Sequence, residues 1–188
     1  MPEAWRAGTI FTVGHSTRSV GELIVLLRDA GVDLLVDVRS VPRSRTNPQF
    51  NADTLPDALA EAGIGYQHIR ALGGLRHHPR EAPQSPNRLW RNDAFRNYAD
   101  YAMTEPFRGG LAELRVLADE HRCAMMCAEA VWWRCHRRLV TDYLIAEGVP
   151  VGHIMGPGKI EPARLTPGAQ SQPDGTIVYA GEVTGTLI

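Results

Sequence analysis

The side chains best suited to chemistry in this sequence sit where short apolar runs end. Thr9-Ile10-Phe11-Thr12-Val13 leads into Gly14-His15-Ser16, and Leu34-Leu35-Val36 leads into Asp37-Val38-Arg39-Ser40. Gly65-Tyr66-Gln67-His68-Ile69 carries His68, Cys123-Ala124-Met125-Met126-Cys127 runs into Ala128-Glu129, and residues 149–154 include His153. Asp37 or Glu129 can serve as a base, a nucleophile or the stabiliser of a cationic transition state. Asp37 can equally cap a loop or orient a neighbour. Glu129 follows an apolar run, where an unpaired carboxylate is costly, so Arg137 or Arg39 is a natural partner for it. His15 suits a proton donor, an orienting group or a satisfied buried imidazole. Cys127 and Cys135 are thiols that can act as nucleophiles or simply fill core space.

Arginines gather around these positions. The loop 39–48 holds Arg39, Arg43 and Arg45 with no acid, and residues 64–92 hold five arginines against Glu81 alone. Planar guanidinium groups clamp phosphates bidentately, so these loops and Arg137 read as an anion-binding rim. Trp132, Trp133, Tyr66 and His68 are near enough in sequence to stack a base or line its pocket, although core packing is the commoner fate of tryptophan. The rim is local. Over 188 residues, Lys+Arg total 20 and Asp+Glu 21, and a net charge of −1 excludes a protein that coats nucleic acid by bulk charge. Lys159 is the only lysine, a bias that a GC-rich genome would also produce.

Other chemistries lose support. Cys123, Cys127, Cys135, His136 and the His77-His78 pair offer ligand types, but Cys-x3-Cys and Cys-x7-Cys-His match no strong zinc pattern. On a strand Cys123 and Cys127 would stand about 13 Å apart, too far to share an ion. Neither a metal nor an organic cofactor is therefore expected. There is no glycine-rich phosphate loop and no nucleophile elbow. Three cysteines make no disulfide framework and point to the reducing cytoplasm. No apolar run has the length of a membrane span, and Met1-Pro2-Glu3-Ala4-Trp5-Arg6 lacks a signal-peptide pattern.

Parallel strands and helices would position these groups. Strands are predicted at 9–13, 34–38, 65–69, 123–127 and 149–154. Helices are predicted from Ser19 to Gly31, from Asp53 to Gly63, at 93–104, 106–120 and 134–147. Ser19 and Glu22 form a capping-box pair, and Pro106 suits a helix start. The order predicts an α/β fold in a single domain, residues 1–155. Its core would be an open, mostly parallel sheet of about five strands with helices on both faces. Residues 156–188 read as an extended C-terminal tail with one added edge strand near 176–180. Residues 70–92 read as a long functional or mobile loop. In such sheets ligands bind beyond the carboxyl ends of the strands, where the groups above collect.

Several of these segments together resemble the domain of unknown function 488 (DUF488) family. They are Thr12-Val13-Gly14-His15-Ser16-Thr17-Arg18, Val36-Asp37-Val38-Arg39-Ser40-Val41-Pro42-Arg43-Ser44, Asn47-Pro48-Gln49-Phe50-Asn51, Leu72-Gly73-Gly74 and Asn97-Tyr98-Ala99-Asp100-Tyr101. Cys127-Ala128-Glu129 followed by Cys135-His136-Arg137-Arg138 completes the pattern. The resemblance spans roughly residues 9–155 and implies nucleic-acid or modified-base processing, including base-excising glycosylase activity. On that basis the expectation is a metal-independent N-glycosidase acting on DNA or a nucleotide. Asp37 or Glu129 would be its carboxylate, His15 its proton donor or orienter, and Arg39, Arg43, Arg45 and Arg137 its phosphate ligands. Trp132 or Tyr66 would stack the base. A Schiff-base lyase would have only Lys159 or the N-terminal amine, on Pro2 after Met1 removal. The alternatives are a non-catalytic nucleotide or nucleic-acid binding module and a thiol-dependent enzyme using Cys127 or Cys135.

Overall fold

The computed structural model describes residues 5, 7–77 and 83–181. Pro2, His78 and Glu81 lie outside the described residues. Five parallel strands form the sheet: β1 (Ile10–Gly14), β2 (Leu34–Asp37), β3 (Gly65–His68), β4 (Cys123–Cys127) and β5 (Val151–Gly156). A sixth, β6 (Lys159–Pro162), pairs antiparallel with β5, so the spatial order is β3-β2-β4-β1-β5-β6. The helices are α1 (Val20–Asp29), α2 (Leu55–Glu61), α3 (Asp93–Ala102), α4 (Glu105–Glu120) and α5 (Arg137–Ala146). Ser19 and Glu22 make the expected capping box at α1, and Pro106 opens α4.

Residue alternation along the strands divides the core. Phe11, Val13, Leu35, Ala124 and Met126 face α1 and α2, through Leu23, Leu27, Leu55 and Leu59. Ile10, Val36, Met125 and Cys127 face the other way, against Tyr98, Leu114, Leu139 and Tyr143 of α3, α4 and α5. The helix after β1 and the helix after β4 therefore leave on opposite faces, although the two strands are neighbours. That reversal opens a crevice at their carboxyl ends, where open α/β sheets take their ligands.

Two expectations shift. The added edge strand is β6, earlier in the chain than 176–180. Ile177–Val178 (β8) instead pairs with Gln170–Ser171 (β7) in a separate two-stranded ribbon. The reason is burial: Ile177 and Tyr179 are apolar anchors that dock on the α3–α5 face. The Ile177 amide donates to Tyr143 Oη at 3.0 Å, and Tyr179 Oη donates to Asp142 at 2.8 Å. Within the long connection after β3, residues 71–76 are pinned. Tyr98 and Tyr101 hydroxyls donate to the Leu72 and Ala71 carbonyls, and Arg76 lies over the Tyr101 ring while donating to Gly73 and Ala71 carbonyls.

Candidate functional site

The carboxyl ends of β1, β2 and β4 border a cavity of about 510 Å³, within the usual range for small-ligand pockets. Its wall carries His15, Arg39, Arg43, Glu129 and Arg134, with Phe95 and Tyr98 from α3. Cys127, Cys135 and His136 complete one side. A side chain at Gly14 is impossible, because its Cβ would lie 1.9 Å from the Glu129 carbonyl oxygen. Glycine thus lets the end of β1 pass directly under Glu129, and the His15 and Ser16 amides donate to the Cys127 and Ala128 carbonyls at 2.9 Å. Ser16 itself has φ +49°, the left-handed region that costs a non-glycine residue on the order of 1 kcal/mol.

Asp37 lies beneath this wall. It is fully buried and accepts from the Arg39 backbone amide at 3.0 Å, from Arg39 Nε at 2.9 Å and Nη2 at 2.5 Å, and from Tyr66 Oη at 2.8 Å. The pair locks Arg39 side-on. Its Nη2 also donates to the Phe50 carbonyl at 2.6 Å and its Nη1 to His15 Nε2 at 3.3 Å. Of the five guanidinium hydrogens, one on Nη1 remains for a ligand. The tautomer of His15 follows. A guanidinium only donates, so Nε2 accepts, while Nδ1 carries the hydrogen given to the Ser16 carbonyl at 2.9 Å. Burial lowers the His15 pKa, the Ser16 bond opposes this, and the Arg39 charge lowers it further. His15 stacks on Phe50 as a neutral brace for Arg39. Tyr66 is held protonated, its pKa pushed up by burial and then by the Asp37 charge.

The other expected residues separate into two groups. Glu129 is exposed on the pocket wall, and its carboxylate has no hydrogen-bond or ion-pair partner among the described residues. Arg43 is likewise exposed, bridged only to Asp53 at 3.1 Å. Arg137, by contrast, is 1% exposed. Its Nη2 donates to the Glu129 carbonyl at 2.6 Å and its Nε to Cys135 Sγ at 3.4 Å, so it supports the wall from behind and does not line it. His68 Nε2 donates to the Arg39 carbonyl at 2.8 Å. Trp132 stacks on His153 at 4.3 Å, and Trp133 packs edge-on against Trp132. Neither tryptophan lines the pocket, nor do Tyr66, His68 and Arg45. The aromatic wall is instead Phe95 and Tyr98, whose place the sequence pattern of α3 did not reveal. Arg134 also joins the wall unannounced; its only signal was another arginine beside the Cys-His pair. Lys159 pairs with Glu161 at 3.1 Å, away from the wall.

The cysteines meet through the same topology. Cys127 ends β4 on the α5 face, and the turn Trp132–Arg134 returns the chain so that Cys135 precedes α5. Their sulfurs are 2.7 Å apart, and His136 Nδ1 is 3.5 Å from Cys135 Sγ. His136 Nε2 donates to the Val38 carbonyl at 2.8 Å, and Gly74 packs so closely that a Cβ there would lie 2.5 Å from Nδ1. Cys127, Cys135 and His136 present their donor atoms within 4.8 Å of one another, the one such group of three among the described residues.

Comparison with curated proteins and with solved structures finds no match. The family profile described as Domain of unknown function DUF488 matches residues 19–144, and the chain belongs to that family.

Proposed function

We propose that the pocket takes a nucleotide, free or extruded from DNA, and that the protein hydrolyses its N-glycosidic bond with Glu129 as the working carboxylate. The observation that carries this reading is that, among the described residues, Glu129 is the sole carboxylate on the wall of a pocket that also presents Arg39, Arg43 and Arg134. A carboxylate with no internal partner can face developing positive charge. Asp37, saturated by four donors, cannot turn toward it without unmaking the Arg39 pair.

In this reading the arginines hold the phosphates and the base lies against Phe95 and Tyr98, as extruded bases do against apolar walls. The bond from sugar C1′ to the base nitrogen breaks with its electron pair going to the base, which takes up a proton from solvent and leaves as the neutral free base. The sugar acquires oxocarbenium character, which the Glu129 carboxylate stabilises while removing a proton from the attacking water. His15 orients Arg39, which keeps a guanidinium hydrogen for the ligand. No step calls for an amine, consistent with the position of Lys159 away from the wall.

The test uses oligonucleotides bearing 5-substituted pyrimidines, scored for abasic sites. The wild-type protein releases base. Glu129→Gln lowers the rate by about 10²–10⁴-fold, the range for a positioned acid–base group, while DNA affinity changes only a few-fold. Full release by the Glu129→Gln protein, or by the Asp37→Asn, Glu129→Gln double variant, overturns the assignment. Tight binding with no release of any base replaces it with a non-catalytic binding module.

A further inference from the structure

We propose that Cys127 and Cys135 are a redox-active dithiol in the pocket wall, with Cys135 attacking a small hydroperoxide and Cys127 resolving the product as a disulfide. This stands apart from base excision and does not depend on it.

Geometry argues for a direct sulfur–sulfur bond. The 2.7 Å between the sulfurs exceeds the bond length by only about 0.7 Å. Two thiolates sharing a tetrahedral zinc at about 2.3 Å each would have to stand about 3.7 Å apart, so the pair would need to open. The buried Arg137 guanidinium beside Cys135 already supplies the positive charge a thiolate needs, and it repels a divalent cation. Each sulfur also has its own donor set. Cys135 Sγ receives the Arg137 amide at 3.5 Å and Nε at 3.4 Å. His136 Nδ1, in a ring that already donates through Nε2, stands 3.5 Å away as an acceptor for the Cys135 proton. Cys127 Sγ receives only the Glu129 amide, at 3.4 Å. The asymmetry makes Cys135 the thiolate and Cys127 the thiol. Burial opposes ionisation of Cys135, but the Cys127 hydrogen bond, His136 and Arg137 hold its pKa well below the ordinary thiol range. Both cysteines are 3% exposed and line the pocket, through which a small peroxide reaches them.

The steps balance. The Cys135 thiolate attacks one peroxide oxygen, the O–O bond breaks, and the departing oxygen takes a proton and leaves as water or an alcohol. Cys135 is then a sulfenic acid. The Cys127 sulfur displaces its oxygen, which leaves as water with the Cys127 proton, and the S–S bond forms. The two thiols lose two electrons and the peroxide gains them. Cys123 is the internal contrast: it starts the same strand, is fully buried and off the pocket, and burial pushes its pKa up to about 12.

The reduced full-length protein is treated with near-stoichiometric hydrogen peroxide, denatured, alkylated and weighed, then mapped by peptide. Alkylatable thiols should fall from three to one, with Cys123 retained and Cys127 linked to Cys135, reversibly with dithiothreitol. Cys127→Ser should instead accumulate a dimedone-reactive sulfenic acid on Cys135, and Cys135→Ser should form no linkage. Three alkylatable thiols after peroxide in the wild-type protein overturn the proposal. So does sulfenic acid forming on Cys127 in Cys135→Ser, or one tightly held zinc per chain that shields both thiols.

Discussion

Asp37 ends β2, and Glu129 lies two residues past the end of β4, the neighbouring parallel strand. Both are carboxylates on the ligand side of the sheet, and a sequence reading gives them the same standing. In the structure Asp37 is sealed beneath the pocket with its oxygens occupied by Arg39 and Tyr66, and Glu129 stands on the wall with its oxygens open. The difference comes from the next residues. Asp37 is followed two positions on by an arginine that folds back onto it, and its side chain points toward the α2 face, where Tyr66 packs. Glu129 is anchored only through its backbone, by Arg137 and by Cys127. One carboxylate builds the site and the other is left for it to use.

The sharpest way to break this comparison is to neutralise each carboxylate in turn. Asp37→Asn leaves the Arg39 guanidinium buried without a counter-charge, so unfolding free energy should fall by about 3–5 kcal/mol in chemical denaturation. Glu129→Gln removes a charge that touches nothing internal, and stability should stay within about 0.5 kcal/mol while turnover collapses. A stable, inactive Asp37→Asn protein together with an unstable Glu129→Gln protein would reverse the two roles.

How much of this was legible in the sequence depends on the scale. The strand ends were readable because β1, β2 and β4 are continuous apolar runs, which mark strands buried on both faces. The capping box at Ser19 and Glu22 was readable because it is a local pattern. What could not be read was the facing of polar groups across long separations. That Arg137 lies buried behind Glu129 depends on the turn Trp132–Arg134, and that Phe95 lines the pocket depends on how α3 packs on the sheet. Trp132 and Trp133 look like stacking platforms by type, yet Trp132 is taken up by His153, 21 positions later. The Cys127–Cys135 meeting was within reach, since strand alternation puts Cys127 on the face that α5 covers. It required knowing on which face α5 lies.

The buried histidines extend the comparison to pH. His153 is 2% exposed, bonded through Nδ1 to Thr12 Oγ1 at 2.8 Å, and its Nε2 has no partner among the described residues. Burial and then the Arg137 charge lower its pKa from 6.5 to about 4. The sign follows from proton linkage. The unfolded chain binds a proton below about 6.5 that the folded chain refuses until about 4, so stability is full above that window and falls as pH drops through it. The loss is on the order of 3 kcal/mol, and His15, shifted in the same direction, adds to it. His153→Phe keeps an aromatic partner for Trp132 and should flatten this acid limb. If denaturation curves for that variant and the wild-type protein lose stability in parallel between pH 6.5 and 4, His153 is not the neutral buried group described.

Arg39 and Arg43 repeat the contrast between Asp37 and Glu129 in the opposite charge, and here the expected effect is smallest. Arg39 is held through four of its five guanidinium hydrogens to Asp37, Phe50 and His15, and its loss would be felt throughout the site. Arg43 makes one exposed bridge to Asp53, the kind of pair that contributes no more than about 1 kcal/mol. Arg43→Ala should therefore melt within a degree or two of the wild-type protein. Its effect belongs to binding: if Arg43 meets a phosphate, the slope of log affinity for DNA against log salt should become shallower by about one. An unchanged slope with unchanged affinity would place the phosphate elsewhere on the wall, with Arg134 the remaining exposed guanidinium there. A large loss of stability would mean that Arg43, like Arg39, belongs to the scaffold, and the division between building and binding groups would have to be drawn further out along the loop.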